Sequence, residues 1–104
     1  MIIKKTKVLC VGYREWAIQI YNNLVGIKKL NVIIHKQKKN LENRIKKEQP
    51  DIILFYGWSW IIKDSIIRKF NCFMLHPSPL PKYRGGSPIQ NQIIRGENKS
   101  AVTI

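Results

Sequence analysis

Asp51-Ile52-Ile53-Leu54-Phe55-Tyr56-Gly57-Trp58, DIILFYGW, is the stretch that decides the fold. Its apolar run from Ile52 to Tyr56 is unbroken, with Pro50-Asp51 in front and Gly57 behind. It is too short for a buried helix and lacks the alternation of a half-solvated strand, so it reads as a parallel strand covered on both faces. Upstream, Lys36 to Gln49 is strongly basic, with only Leu41 and Ile45 apolar at i, i+4. That predicts a surface helix touching the core along one narrow edge. Before it, Asn31 to His35 (NVIIH) reads as a strand. Still earlier, Arg14 to Val25 reads as a helix, with a stripe of Trp16, Ile20, Asn23 and Leu24 widened by Ile18, Tyr21 and Val25, and with Gly26 at its C-terminal cap. Lys7 to Val11 (KVLCV) opens the series as a strand ended by Gly12. Downstream, Asp64 and Ser65 are candidate caps for a short helix through Phe70. Cys72 to Leu75 (CFML) is a fourth strand running into His76. Ser87-Pro88 starts a further helix, with Ile89, Ile93 and Ile94 toward the core and Gly96 at its end. Ala101 to Ile104 (AVTI) begins a fifth strand. Strands alternating with helices give an α/β fold, a Rossmann-like parallel sheet of about five strands with flanking helices.

The chain has 104 residues, the length of one small domain. Ending on an apolar strand, it reads as one domain, 1–104, incomplete at its C-terminus. No apolar run approaches the roughly 20 residues of a membrane span. No secretory signal is visible at the N-terminus, so the expected compartment is the cytoplasm. Cys10 and Cys72 are too few for a disulfide scaffold and sit in apolar strands, where a buried free thiol is the default. The formal net charge of +13 invites a polyanionic partner. Against that stands composition: 40 of the 104 residues are Lys, Ile or Asn, the residues of AT-rich codons.

Ligands of open parallel sheets bind outside the carboxyl ends of the strands. Gly12-Tyr13, Tyr56-Gly57-Trp58-Ser59-Trp60 and His76-Pro77-Ser78 all fall there and could line one cleft. His76, on a loop stiffened by Pro77, Pro79 and Pro81, suits proton transfer near neutral pH or merely ties its loop to a carbonyl. Trp58 and Trp60 could stack on a flat heterocycle or pack in the core. Arg84, beside Gly85-Gly86, could clamp a phosphate or carboxylate or pair on the surface. His35 ends a strand with nothing chemical around it. There is no GxGxxG, Walker A loop, CxxC or HExxH, so no metal is expected.

His76 to Gln90, HPSPLPKYRGGSPIQ, resembles the signature loop of the folate-dependent formyltransferases, H-x-S-L-L-P-x-Y-R-G-x-x-P-I-Q. The likeness is to the methionyl-tRNA and nucleotide-sugar N-formyltransferase branches. Asp51 to Trp58 is similar to the strand and turn that precede this loop, and Gly96-Glu97 with AVTI to the strand start that follows it. The resemblance covers Asp51 to Ile104, and the first half fits as a generic opening of the same N-terminal domain. It implies acyl transfer from 10-formyltetrahydrofolate to a primary amine, through a tetrahedral intermediate whose oxyanion needs donors. His76 matches the family histidine and takes its catalytic role. The pterin is implied against Tyr56, Gly57, Trp58, Trp60, Ile61 and Leu75. The acceptor is implied against Ser78, Pro79, Lys82, Tyr83, Arg84, Gly85 and Gly86.

The sequence departs from the family pattern at two points. Met74 stands where the family has an Asn, and a thioether donates no hydrogen bond. The family's catalytic Asp falls beyond Ile104. The implied acceptor is an amino sugar on a nucleotide carrier, then the amino group of initiator methionyl-tRNA. Two alternatives stand beside this one: a catalytically incomplete fragment, and a basic nucleic-acid-binding module using Lys36 to Lys47, whose binding would fall steeply with salt.

Overall fold

The first strand carries side chains that are apolar on both of its faces, and the fold is built around it. The computed structural model describes residues 4–75, 82, 88–97, 99, 100 and 102–104. The elements are β1 (Thr6–Val11), α1 (Glu15–Val25), β2 (Leu30–His35), α2 (Leu41–Glu48), β3 (Ile52–Phe55), α3 (Asp64–Lys69), β4 (Asn71–Met74) and α4 (Pro88–Ile94). Two compact units divide the chain, Met1–Phe73 and Met74–Ile104.

In the first unit the strands order as β2-β1-β3-β4. β1 pairs in parallel with β2 from Thr6↔Leu30 to Val11↔His35, and with β3 from Val8↔Ile52 to Val11↔Phe55. Period-two alternation sorts the side chains. Leu9, Val11, Ile53 and Phe55 point to one face, where Ile45 of α2 and Ile66 of α3 cover them. Val8 and Cys10 point to the other, under Ala17 and Tyr21 of α1. The result is a Rossmann-like three-layer α/β arrangement. The sheet has four strands among the described residues, against an expectation of about five. Of the AVTI run, Ala101 lies outside the described residues and Thr103 makes an isolated bridge.

Three local expectations in the first unit need correction. α1 buries Ala17 and Tyr21, while Trp16 and Ile20 are exposed. The close approach of helix to sheet favours a small side chain and one that can satisfy carbonyls. α2 starts at Leu41, not Lys36. Residues 36–40 form a turn, tied by a 3.1 Å hydrogen bond between His35 Nε2 and the Lys39 carbonyl, and Asn40 is left-handed at φ 62°. Lys36 to Asn40 holds no apolar side chain to bury, so packing does not reward a helix there. The N-cap of α3 is Lys63, with Asp64 already in the first turn, and no side chain caps it.

In the second unit, α4 begins on Pro88 as expected, and Ser87 lies outside the described residues. Ile93 and Ile94 are exposed and Gln92 is buried, reversing the predicted face. Gln92 accepts a hydrogen bond from Ser100. The helix closes with Glu97 N–H on the Gln92 carbonyl and Gly96 N–H on that of Ile93, both at 3.0 Å, and Gly96 takes φ 76°. That is the paired closure a glycine permits at a helix end.

Candidate functional site

Strand order 2-1-3-4 reverses direction between β1 and β3, and open α/β sheets bind ligands at such a switch point. Two turns meet here. Tyr13 and Arg14 follow β1, and Tyr56 to Ile61 follow β3. The backbone passes so close that a Cβ on Gly12 would lie 2.1 Å from the Tyr56 carbonyl oxygen. Gly57 has φ +64°, and a Cβ there would meet Arg14 at 2.9 Å. Both positions require glycine.

Buried Tyr21 ties the turns from below. Its hydroxyl donates to the Val11 carbonyl at 2.8 Å, lies 3.2 Å from that of Leu54, and accepts from Tyr56 N–H at 2.8 Å. Burial holds this phenol well above its ordinary range. Burial likewise pushes the Cys10 thiol up to about 12.

Above that tie lies an aromatic cluster. Tyr13 and Ser59 share a hydroxyl–hydroxyl hydrogen bond of 2.6 Å. The Tyr13 and Trp60 rings lie 5.0 Å apart, and those of Trp58 and Trp60 4.7 Å apart, edge to face. Cations sit over the faces: Arg14 is 5.0 Å from the Tyr13 ring and Lys38 Nζ is 5.4 Å from that of Trp60. Trp58, Trp60, Ile61 and Ile62 line a cavity of about 360 Å³ against Leu41 and Lys38. At its rim Lys63 pairs with Glu42 and holds that carboxyl below its usual range. Apolar walls with cations at the rim suit a flat heterocycle carrying a negative charge.

The residues singled out from sequence separate here. Trp58, Trp60 and Ile61 share the cavity, and Ile61 is 97% exposed. Tyr56 turns the other way and stacks on Tyr21 at 5.7 Å. Gly57 makes the turn. Leu75 belongs to the second unit and is half-buried, as is Thr103. Lys82 is an exposed turn residue. His76, Ser78, Pro79, Tyr83, Arg84, Gly85 and Gly86 lie outside the described residues. Sequence reading assigned no role to Arg14, put Lys38 only in the basic run of the nucleic-acid alternative, and left Tyr13 as a position in the cleft. The folded chain brings Arg14 to the Tyr13 ring and Lys38 to that of Trp60. Among the described residues, no helix is long and apolar enough to cross a membrane, and no three His, Cys, Asp or Glu side chains gather as a metal site.

Comparison with known proteins adds a family. A family model for formyl transferases matches residues 6–104. The methionyl-tRNA formyltransferase of Rickettsia prowazekii is 42% identical over 64 residues, 60% of this chain and 21% of that protein. That of Orientia tsutsugamushi is 42% identical over 67 residues, 62% of this chain and 22% of that protein. Among solved structures, methionyl-tRNA formyltransferase from Clostridium thermocellum superposes with TM-score 0.78 at 35% identity, covering 88% of this chain and 41% of that one. A 4-N formyltransferase from Francisella tularensis gives TM-score 0.69 at 16% identity, over 86% of this chain and 46% of that one, a likeness of fold. The matched stretch spans about a fifth of the length of these curated relatives.

Proposed function

The chain belongs to the formyl transferase family, and on that premise we propose that it is the Rossmann-like N-terminal domain, residues 1–104, of a cytoplasmic enzyme. That enzyme moves a formyl group from 10-formyltetrahydrofolate to a primary amine. The observation that carries the reading is the extent of the family match, 6–104, which takes in the aromatic turn after β3 and the whole loop from His76 to Gln90. The Rickettsia prowazekii and Clostridium thermocellum relatives, both above 30% identical, are methionyl-tRNA formyltransferases, which favours the amino group of methionyl-tRNA as acceptor. An amino sugar on a nucleotide carrier is the second choice, supported by the loop resemblance.

In this reading the folate supplies the formyl group when bound. Trp58, Trp60 and Ile61 give its ring system an apolar wall and exclude water. His76 takes the proton that the amine sheds as it attacks, a task suited to an imidazole near neutral pH. The loop from Ser78 to Gly86, with Lys82 and Arg84, orients the acceptor. Met74, the last residue of β4, stands at the family Asn position. Its thioether donates nothing, so developing negative charge on oxygen must be met by another donor.

The test is a titration of the chain with 5-formyltetrahydrofolate, a stable folate, followed by tryptophan fluorescence. Quenching that W60A abolishes and H76A leaves intact is the expected result. Absence of saturable quenching would overturn the folate reading. In the full-length protein, H76A should remove transfer to methionyl-tRNA. M74N should raise kcat, by up to the roughly 10²–10³ that one oxyanion donor contributes.

A further inference from the structure

The aromatic cavity after β3 has two lysines among its lining residues, Lys38 and Lys63, and the fold treats them differently. Lys63 is paired with Glu42, which also lines the cavity, so that pair adds no net charge. Lys38 has no carboxylate in ion-pair reach among the described residues. Its ammonium sits instead over the Trp60 ring, 5.4 Å from the centroid. The uncompensated charge of the lining is therefore that of Lys38.

The turn that carries Lys38 fixes where that charge stands. His35, buried at the end of β2, donates from Nε2 to the Lys39 carbonyl at 3.1 Å. Asn40 then takes φ 62°, and α2 begins at Leu41. Lys36 and Lys39, on the same turn, are not among the residues that line this cavity. A lysine stem lying on an indole shields apolar surface, and shielding alone would explain the contact with Trp60. It does not explain the open apolar wall beside it, where Ile61 is 97% exposed. An ammonium next to an uncovered apolar wall suits an occupant that is apolar at one end and anionic at the other. Size adds to this. At about 360 Å³ the cavity lies near the lower end of the roughly 300–1,000 Å³ of small-molecule sites. A flat ring system takes up that space, and an elongated acidic substituent has to leave across the rim, where Lys38 stands.

We propose that Lys38 is the specificity-determining residue of this cavity, its ammonium pairing with a carboxylate on the ligand's tail while the ring system lies against Trp58, Trp60 and Ile61. The inference rests on the folate reading and deepens it, naming the residue that recognises the glutamate carboxylates. A compact charge on a flexible stem suits a tail that presents its carboxylates at the rim in more than one geometry.

The test titrates the 104-residue chain with 5-formyltetrahydrofolate and with its diamide, in which both glutamate carboxylates are carboxamides. The readout is the midpoint of tryptophan quenching, since a change at Lys38 alters the surroundings of Trp60 and with them the amplitude. Wild type is compared with K38Q, with K38R and with K28Q, which removes the same charge in the turn before β2. Wild type, K38R and K28Q should bind the folate about three- to tenfold more tightly than the diamide, between an exposed ion pair and a hydrogen bond to a charged group. K38Q should bind the two ligands equally, at the midpoint that wild type shows for the diamide. Equal midpoints for the two ligands in wild type would overturn the inference and leave the folate reading standing. So would an equal weakening of both ligands in K38Q, which would mark a side chain that only shapes the wall. A loss of preference in K28Q as large as in K38Q would reduce the effect to bulk charge and overturn it too. No saturable quenching of wild type by either ligand would overturn the folate reading, and this inference with it.

Discussion

Tyr21→Phe removes one oxygen from the centre of the fold and leaves its ring in place. The ring is 0% exposed and stacks on Tyr56 at 5.7 Å, so Phe opens no cavity of consequence. What disappears is a hydroxyl that donates to Val11 O at 2.8 Å and accepts from Tyr56 N–H at 2.8 Å. An orphaned buried donor costs about 1–3 kcal/mol, and a carbonyl with a second lone pair in use costs less. Taking about 2 kcal/mol for Tyr56 N–H and about 1 for the Val11 carbonyl, the expected loss is about 3 kcal/mol. A domain of this size has only about 5–15 kcal/mol in total, so the change should be plain. Urea unfolding followed by tryptophan fluorescence measures it. With a slope of about 1–3 kcal/mol per molar, the midpoint should fall by about 1–3 M at unchanged slope. A loss below about 1 kcal/mol would refute the reasoning. It would mean that Tyr56 N–H finds another acceptor and that the hydroxyl does not hold β1 and the β3 turn together.

Gly12→Ala should be worse, because its Cβ would sit 2.1 Å from Tyr56 O and demand a backbone shift of about 1 Å. Thermal melting should show a loss at least as large as for Y21F, and a melt within a few degrees of wild type would reject the close approach. The two thiols should differ toward an aromatic disulfide reagent at pH 8. Cys72, half-buried and raised only by partial desolvation, should react slowly in the native chain. Cys10, buried and with its thiol near 12, should react only after unfolding, so two native titrating thiols would contradict its burial. Glu42 is held below its usual range by Lys63, so the pair's small contribution is present at neutral pH and lost as pH falls through the lowered value. K63Q should therefore match wild type in acid and fall slightly behind above it. A gap that persists at pH 2 would assign the effect to something other than this pair.

Much of the architecture was legible because burial wrote it as period and punctuation. IILFY and KVLCV are apolar at successive positions since helices cover both faces of their strands, and Gly12 and Gly57 mark the points where side chains cannot fit. The inward face of α1 was only partly legible: Tyr21 belonged to the apolar stripe, but hydropathy put Trp16 and Ile20 ahead of Ala17, whereas the sheet's approach selects the small residue. The start of α2 was hidden for a related reason: lysines are good helix formers, but five residues without an apolar anchor follow the turn set by His35. At the site, Trp58 and Trp60 could be placed in one loop from sequence. Tyr13 could be placed at the same end of the sheet, but Lys38 could not, because it reaches Trp60 only through the turn that follows β2. Tyr56, one residue past β3, does not line this cavity, because it continues the strand's alternation and turns toward Tyr21.

The central position of β1 has a further consequence for how the chain is made. Val8 pairs with Val32 and Ile52, 24 and 44 residues further on. During synthesis the most buried strand therefore leaves the ribosome before either of its neighbours, and it must wait for both. Pairing at such separation is slow, because loop-closure entropy is lost before contacts repay it. Val8, Leu9, Cys10 and Val11 are meanwhile a bare apolar segment, with Lys4, Lys5 and Lys7 just ahead of it. Those flanking charges act as gatekeepers, keeping nascent copies apart until β3 arrives.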